Sequence, residues 1–100
     1  MTTTFSPDAI ELEQSDTKGR FFHQYGADVA EMTFTKAGET LLIIDHTQVP
    51  AALSGSGLGV ALVEKGAEFA RKHNRKVVPL CPYAAHQFRK HPEWHDVLNK

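Results

Sequence analysis

The sequence lacks a second cysteine, an excess of positive charge and any long apolar run. Its single cysteine, Cys81, cannot form an internal disulfide, so we expect a cytoplasmic domain whose thiol stays reduced. Lys and Arg number 11 against 12 Asp and Glu, whereas a nucleic-acid-binding domain usually shows a marked basic excess. No apolar run exceeds the four residues of Leu41–Ile44, and Met1–Pro7 does not read as a secretory signal. We therefore expect neither nucleic acid nor a membrane as a partner.

The 100 residues suit one domain spanning residues 1–100, with residues 1–9 frayed. Apolar and polar residues alternate along Val29–Thr35, which indicates a half-buried strand. The expected elements are strands at Arg20–Tyr25, Val29–Thr35 and Thr40–Thr47, a helix from Leu58, a strand at Lys76–Leu80 and a helix at Tyr83–Lys90. Because short turns join the first three strands, we predict a three-strand antiparallel meander. The helix that follows can act as a crossover, which makes the last strand parallel to its neighbour.

Three local features refine this arrangement. The continuous run Leu41–Ile44 predicts a strand covered on both faces. Pro79 has no N–H, so the hydrogen-bond ladder must be interrupted there or must face an edge. Gly66 lies near the apolar stripe of the long helix, where a missing side chain allows close packing.

Glycines recur at every second position of the segment Ser54–Gly59 (SGSGLG), between the third strand and the long helix. The N–H groups of such a loop, together with the positive end of the helix, can bind a phosphate or pyrophosphate. An ordinary strand-to-helix turn also uses glycines, and the spacing alone does not separate the two interpretations. Val60 stands where a P-loop or a dinucleotide fingerprint requires glycine, so both of those motifs are rejected.

One known pattern fits the loop better. Gly57-Leu58-Gly59 fills the last positions of the acetyl-CoA loop of the GNAT acetyltransferases, Q/R-x-x-G-x-G/A. Three further motifs follow the same order, namely His46–Pro50 (HTQVP), Pro79–Tyr83 (PLCPY) and His91-Pro92 before Trp94. On these residues the chain resembles, over positions 19–98, a minimal GNAT-like family of small N-acetyltransferases. The resemblance implies an α+β minimal GNAT-like (acyl-CoA N-acyltransferase) fold, with an antiparallel β-meander followed by α-β-α on a mixed sheet.

The resemblance also implies acetyl-CoA as the acetyl donor and a small-molecule or peptide amine as the acceptor. The residues that it assigns to CoA binding are Thr47, Gln48, Val49, Ser54, Gly55, Ser56, Gly57, Leu58 and Gly59. The sequence departs from the family at Ser54, where Arg or Gln is usual, and at Ser56, where a basic or amide residue is common. Serines still offer hydroxyl and backbone donors to a pyrophosphate, but they carry no charge.

Three residues are candidates for catalysis. His46 ends the third strand, and an imidazole with an ordinary pKa of about 6.5 is a suitable base for an ammonium substrate. A histidine packed at a strand end is the ordinary alternative, and the HTQVP motif favours the base. By similarity to larger acetyltransferases, Tyr83 is a candidate proton donor for the CoA thiolate.

Cys81 ends the last strand, where that strand would part from its neighbour. Such a cysteine is usually buried packing, whereas the resemblance places it against the acetyl group. It could then be a wall of the pocket, an assisting group or a transient acyl acceptor, and we favour the wall or the assisting role. A nucleophile would need a lowered thiol pKa, which His46 could supply if it is adjacent.

The histidines near the C-terminus do not predict a metal site. His91 and His95 have helical spacing, but Pro92 interrupts it and no third ligand is evident, while His86 stands apart. Two alternatives to an enzyme remain open. One is a non-catalytic CoA-binding adaptor, which the serine at position 54 favours, and the other is a protein-interaction domain without a ligand. The sequence does not indicate the oligomeric state.

Overall fold

The computed structural model describes residues 9–53, 55 and 57–99. In these residues one mixed sheet has the strand order β1-β2-β3-β4-β5. The strands are β1 (Glu11–Gln14), β2 (Lys18–Tyr25), β3 (Asp28–Ala37), β4 (Leu41–Gln48) and β5 (Lys76–Pro79). The helices are α1 (Leu58–Lys72) and α2 (Pro82–Lys90), with 3₁₀ segments at Ala51–Leu53 and Pro92–Val97. Neighbouring strands are antiparallel except β4 and β5, which are parallel, so the predicted α+β class with a mixed sheet is confirmed.

The predicted three-strand meander was one strand short. β1 pairs with β2 along its whole length, for example through Leu12 and Phe21. All four residues of β1 are exposed, so no buried apolar pattern distinguishes this strand from a loop in the sequence. It is a strand because it pairs with β2, the next strand along the chain.

The two faces of the sheet differ, because α1, α2 and the 3₁₀ helix Pro92–Val97 pack together on one of them. Residues paired directly across strands share a face, and the covered face carries Phe21, Met32, Phe34, Leu42, Ile44 and Val77. We call the other side the open face, since no described element packs against it. Leu41 and Ile43 lie there half-buried, so the prediction that β4 is covered on both faces was wrong.

Helix α1 lies across the covered face through an apolar stripe that includes Leu58, Leu62, Phe69 and Ala70, as the sequence predicts. Phe69 lies 5.3 Å from Phe34 between ring centroids. A side chain at Gly66 would collide with Met32, whose methyl group lies 2.7 Å from the position of an added Cβ. The predicted close approach at this glycine is therefore confirmed.

The C-terminal segment closes the far edge of the sheet. Trp94 packs on Phe88, with ring centroids 5.5 Å apart, and Leu98 forms a parallel bridge to Val77 of β5. Arg71 on α1 binds Asp96 at 2.8 Å, which ties this segment to the main helix. Neither described helix has the length and apolarity needed to cross a bilayer.

Candidate active site

The parallel strand β5 pairs along its whole length, but only with the first half of β4. Their register runs from Leu41 with Lys76 to Ile44 with Pro79. The N–H groups of Leu80 and Cys81 then both donate to the carbonyl of Ile44, at 3.1 and 3.2 Å. Pro79 is thus the last residue of β5, which confirms the predicted interruption of the ladder. β4 continues to Gln48 against β3 alone, so a gap opens beside its last residues.

A β-bulge in β4 lies at the start of this gap. Phe34 pairs with Ile44 and Thr33 pairs with His46, so Asp45 is the extra residue. Beyond the bulge, Thr47 pairs with Met32 and therefore lies on the covered face. His46 lies on the open face with Thr33. The bulge and the alternation thus place consecutive side chains on the two sides of the gap.

Cys81 lies on the covered side of the gap, as the N-cap residue of α2, and it is 6% exposed. Burial raises the pKa of its thiol. The backbone N–H of Ala84, the hydroxyl of Thr47 and the N–H of Tyr83 stabilise the thiolate, and the net effect is a lowered pKa. The hydroxyl of Thr47 is buried and forms no hydrogen bond with the neutral thiol or with another described group, so it is available to a thiolate. The neutral sulfur of Cys81 likewise forms no capping hydrogen bond with the backbone N–H groups at the start of α2.

His46 does not contribute to this effect. The groups that shift the pKa of Cys81 are the start of α2 and Thr47, and His46 is not among them. The side chain of His46 is exposed on the open face. We expected His46 to lower the thiol pKa only if the two residues were adjacent; the start of α2 and the hydroxyl of Thr47 lower it instead.

The start of α1 also has the features of an anion site. Gly55 and Gly57 both have left-handed φ angles, 81° and 86°, and an added Cβ at either would meet no atom within 4 Å. Gly57 is the N-cap and supplies no capping side chain, and the first turn carries no acidic residue. The positive end of this helix is thus neither capped nor neutralised by side chains of its own first turn.

The remaining predicted CoA residues fall into three groups. Leu58 is buried in the core and Val49 packs against the core, so the side chains of both residues serve packing. Gln48 is exposed at the end of β4. Ser54 and Ser56 lie outside the described residues.

Gly59 and Tyr83 bring the two helix N-termini together. A Cβ at Gly59 would lie closer to the hydroxyl of Tyr83 than van der Waals contact allows. This glycine thus makes room for an aromatic ring from α2, a role that the spacing of the loop does not reveal. Burial and the nearby Cys81 thiolate raise the pKa of Tyr83, so its hydroxyl stays protonated at neutral pH.

Comparisons with known proteins agree with this fold. The family model of the GCN5-related N-acetyltransferases matches residues 20–97. The chain belongs to this family. It is also similar to the NMR solution structure of a GCN5-like protein from Staphylococcus aureus, with 30% identity and a TM-score of 0.69 over 91% of this chain and 89% of that one. A search of the curated proteins returned no match. The predicted minimal GNAT-like fold and the N-acetyltransferase class are thereby confirmed.

The C-terminal histidines of this acetyltransferase have structural contacts. His91 stacks on Trp94 at 4.1 Å and pairs with Glu93 at 2.9 Å, and a ring nitrogen of His95 lies 2.8 Å from the carbonyl of Phe88. Within the described residues no three potential ligands are grouped for a metal ion.

Sequence reasoning missed two features of the acetyltransferase site. It assigned Thr47 to CoA, whereas the structure also places its hydroxyl beside the sulfur of Cys81. It gave Asp45 no role, because a bulge depends on the register between two strands, which the local sequence does not specify. The adjacency of Asp45 and His46 was the available signal, and it is too common to be informative by itself.

Proposed function

We propose that this protein transfers the acetyl group of acetyl-CoA to a primary amine. The observation that carries the proposal is the convergence, on the gap between β4 and β5, of two helix N-termini whose N-cap residues form no side-chain capping bond. One start carries the glycine loop, the other carries Cys81, and Gly59 and Tyr83 join them. A helix N-terminus attracts phosphate and developing negative charge, which are the two features of a CoA thioester that a protein must bind.

The residues present fit acetyl-CoA. Open space in front of Gly55 and Gly57 leaves the backbone of the loop accessible to a pyrophosphate. The edge of β4 beyond Ile44 has no strand beside it, so its backbone groups are free to bind an extended chain. When bound, acetyl-CoA supplies the activated thioester. Ser54, without the usual positive charge, would leave the pyrophosphate to the backbone and to α1.

Two side chains are assigned to proton transfer in this proposal. His46 accepts the proton that the amine nitrogen loses as the new C–N bond forms. Tyr83, which stays protonated because its pKa is raised, gives its proton to the sulfur as the C–S bond breaks. The thiol of Cys81 and the imidazole of His46 lie on opposite sides of the gap, so donor and acceptor would approach from opposite faces of the sheet.

Cys81 is assigned an assisting role. Its lowered pKa makes a thiolate accessible, but the groups that lower it lie on the covered side, within the first turn of α2. There the sulfur forms part of the pocket wall. A cytoplasmic location, expected from the single cysteine, would keep this thiol reduced.

Calorimetry with acetyl-CoA, followed by an assay of CoA release with a panel of amines, tests the proposal. We expect micromolar binding and turnover with at least one primary amine. His46→Gln should lower kcat by about 100-fold, the usual contribution of a general base, while the affinity for acetyl-CoA stays unchanged. His86→Gln, the same change at an exposed histidine of α2, is the matched control.

Two results would contradict the proposal. An absence of binding at high micromolar acetyl-CoA would remove the basis for any CoA function. Tight binding without transfer to any amine would instead favour a non-catalytic CoA-binding adaptor.

A further inference from the structure

A groove of about 740 Å³ crosses the open face between the β1–β2 turn and β4. Thr33 and Asp45 line it on one side, and Lys18 and Arg20 line it on the other. Thr33 is the direct cross-strand partner of His46, so the groove begins beside the proposed base. No described helix covers this face, and an acceptor can enter the groove from solvent.

Some charged side chains of the groove are ion-paired and others are not. Arg20 is fully engaged, because it binds both Glu13 and Glu31 at 2.9 Å. The carboxylate of Asp45 accepts a hydrogen bond from the hydroxyl of Thr35 at 2.8 Å, and its charge has no cationic partner among the described residues. The ammonium group of Lys18 likewise forms no ion pair with any residue that the structure describes.

The two unpaired charges flank the same residue. Lys18 is the cross-strand partner of Thr35 from β2, and Asp45 reaches Thr35 from β4. A positive and a negative group side by side are complementary to a zwitterion, which presents a carboxylate and an ammonium group on one carbon atom. Neither a simple diamine nor a peptide-linked lysine presents this pair.

The distance to the base fits the same ligand. Thr35 and Thr33 are two residues apart on β3, so their side chains stand about 7 Å apart along the same face. The four-carbon stem of a lysine, with its terminal amine, spans a distance of this order, about 6–7 Å, when extended. An amino-acid head at Thr35 would thus place its side-chain amine in the row of Thr33 and His46.

We propose that the acceptor is a free diamino acid of the lysine type. Asp45 binds its α-ammonium group, Lys18 binds its α-carboxylate, and the side-chain amine lies at His46. This inference rests on the proposed function, because it names the acceptor of that reaction. It adds Asp45 and Lys18 as residues that determine acceptor specificity.

Titration of the isotope-labelled protein with free lysine, followed by NMR in the absence of acetyl-CoA, tests the groove without any catalysis. We expect the amide signals of Thr33, Thr35 and Asp45 to shift as lysine is added and to reach a plateau at high lysine concentration. Asp45→Asn and Lys18→Gln should each weaken binding about threefold to fivefold, the effect of losing one exposed charge pair. Lys72→Gln, on the exposed face of α1, is the control and should bind lysine like the wild type.

Acetylation kinetics give the second measurement, with three acceptors: lysine, the diamine that lacks its carboxylate, and a lysine peptide blocked at both ends. We expect the lowest KM for lysine. Lys18→Gln should raise the KM of lysine to that of the diamine, whereas Asp45→Asn should raise the KM of both, with kcat little changed.

Preference for the blocked peptide, or variants that act equally on all three acceptors, would overturn the inference while leaving the acetyltransferase function intact. The inference would also be overturned if the addition of lysine left the amide signals of Thr33, Thr35 and Asp45 unchanged. Failure of acetyl-CoA to bind would instead remove the proposed function, and the titration would still report on the groove.

Discussion

The two ends of the β4–β5 pair are built in opposite ways. At the closed end, Leu42 and Val77 pair and are completely buried, and Arg75 donates to the carbonyls of Gly38 and Leu41 at 3.1 and 2.9 Å. At the parted end the β4–β5 ladder stops at Pro79, and β4 continues paired only with β3.

The parted end is polar where the closed end is apolar. It holds a buried hydroxyl on Thr47, a thiol with a lowered pKa on Cys81 and two helix starts whose N-cap residues form no side-chain capping bond. Unpaired polar groups of this kind cost stability when they are buried. They persist because the closed end and the core beneath α1 hold the strands in place, so one strand pair supplies both rigidity and chemistry.

The largest expected effect is a loss of stability caused by a substitution at the closed end. Leu42→Ala removes a completely buried side chain between β3 and β5 and should lower the free energy of unfolding by about 2–5 kcal/mol in urea titrations. Thr47→Ala, a truncation of a half-buried residue at the parted end, should cost less than about 1 kcal/mol. Similar costs for the two variants would show that the two ends do not differ in their contribution to stability.

A smaller effect is expected at the parted end, on ligand affinity instead of stability. Gly57→Asp and Gly57→Asn place similar side chains at the same left-handed N-cap position, and both residue types tolerate that backbone. Only the aspartate adds a negative charge beside the bound pyrophosphate. We expect the aspartate variant to bind acetyl-CoA at least tenfold more weakly than the asparagine variant, as measured by calorimetry. Equal affinities would mean that the loop does not contact the pyrophosphate.

The sequence predicted most of the closed end and little of the parted end. Periodicity located β3, β4 and α1, and the stop at Pro79 follows from its missing N–H, because each of these properties is local. The bulge at Asp45 and the contact of Gly59 with Tyr83 depend on residues that are far apart in sequence. The motifs predicted candidate residues for the site, but they did not indicate which face of the sheet each one occupies.

The smallest expected effect concerns the hydroxyl of Thr47. Thr47→Val keeps the shape of the side chain but removes the hydroxyl that stabilises the thiolate. Because burial raises the pKa of Cys81 and this hydroxyl lowers it, the pKa should rise in the variant. Thr47→Ser keeps the hydroxyl and should titrate like the wild type. The ultraviolet absorbance of the thiolate, followed against pH, measures the difference. If the valine and serine variants titrate alike, the start of α2 alone sets this pKa.

The same pair of variants gives a stability test whose sign is fixed. A thiol whose pKa is lower in the folded than in the unfolded state stabilises the fold fully above the unfolded pKa, and the contribution is lost as the pH falls through the folded pKa. The free energy of unfolding of the wild type should therefore rise between those two pKa values. This rise in the free energy of unfolding should be smaller in Thr47→Val, because the folded pKa of the thiol then lies closer to its unfolded pKa and folding releases fewer protons. It should be absent in Cys81→Ala, which has no thiol to titrate.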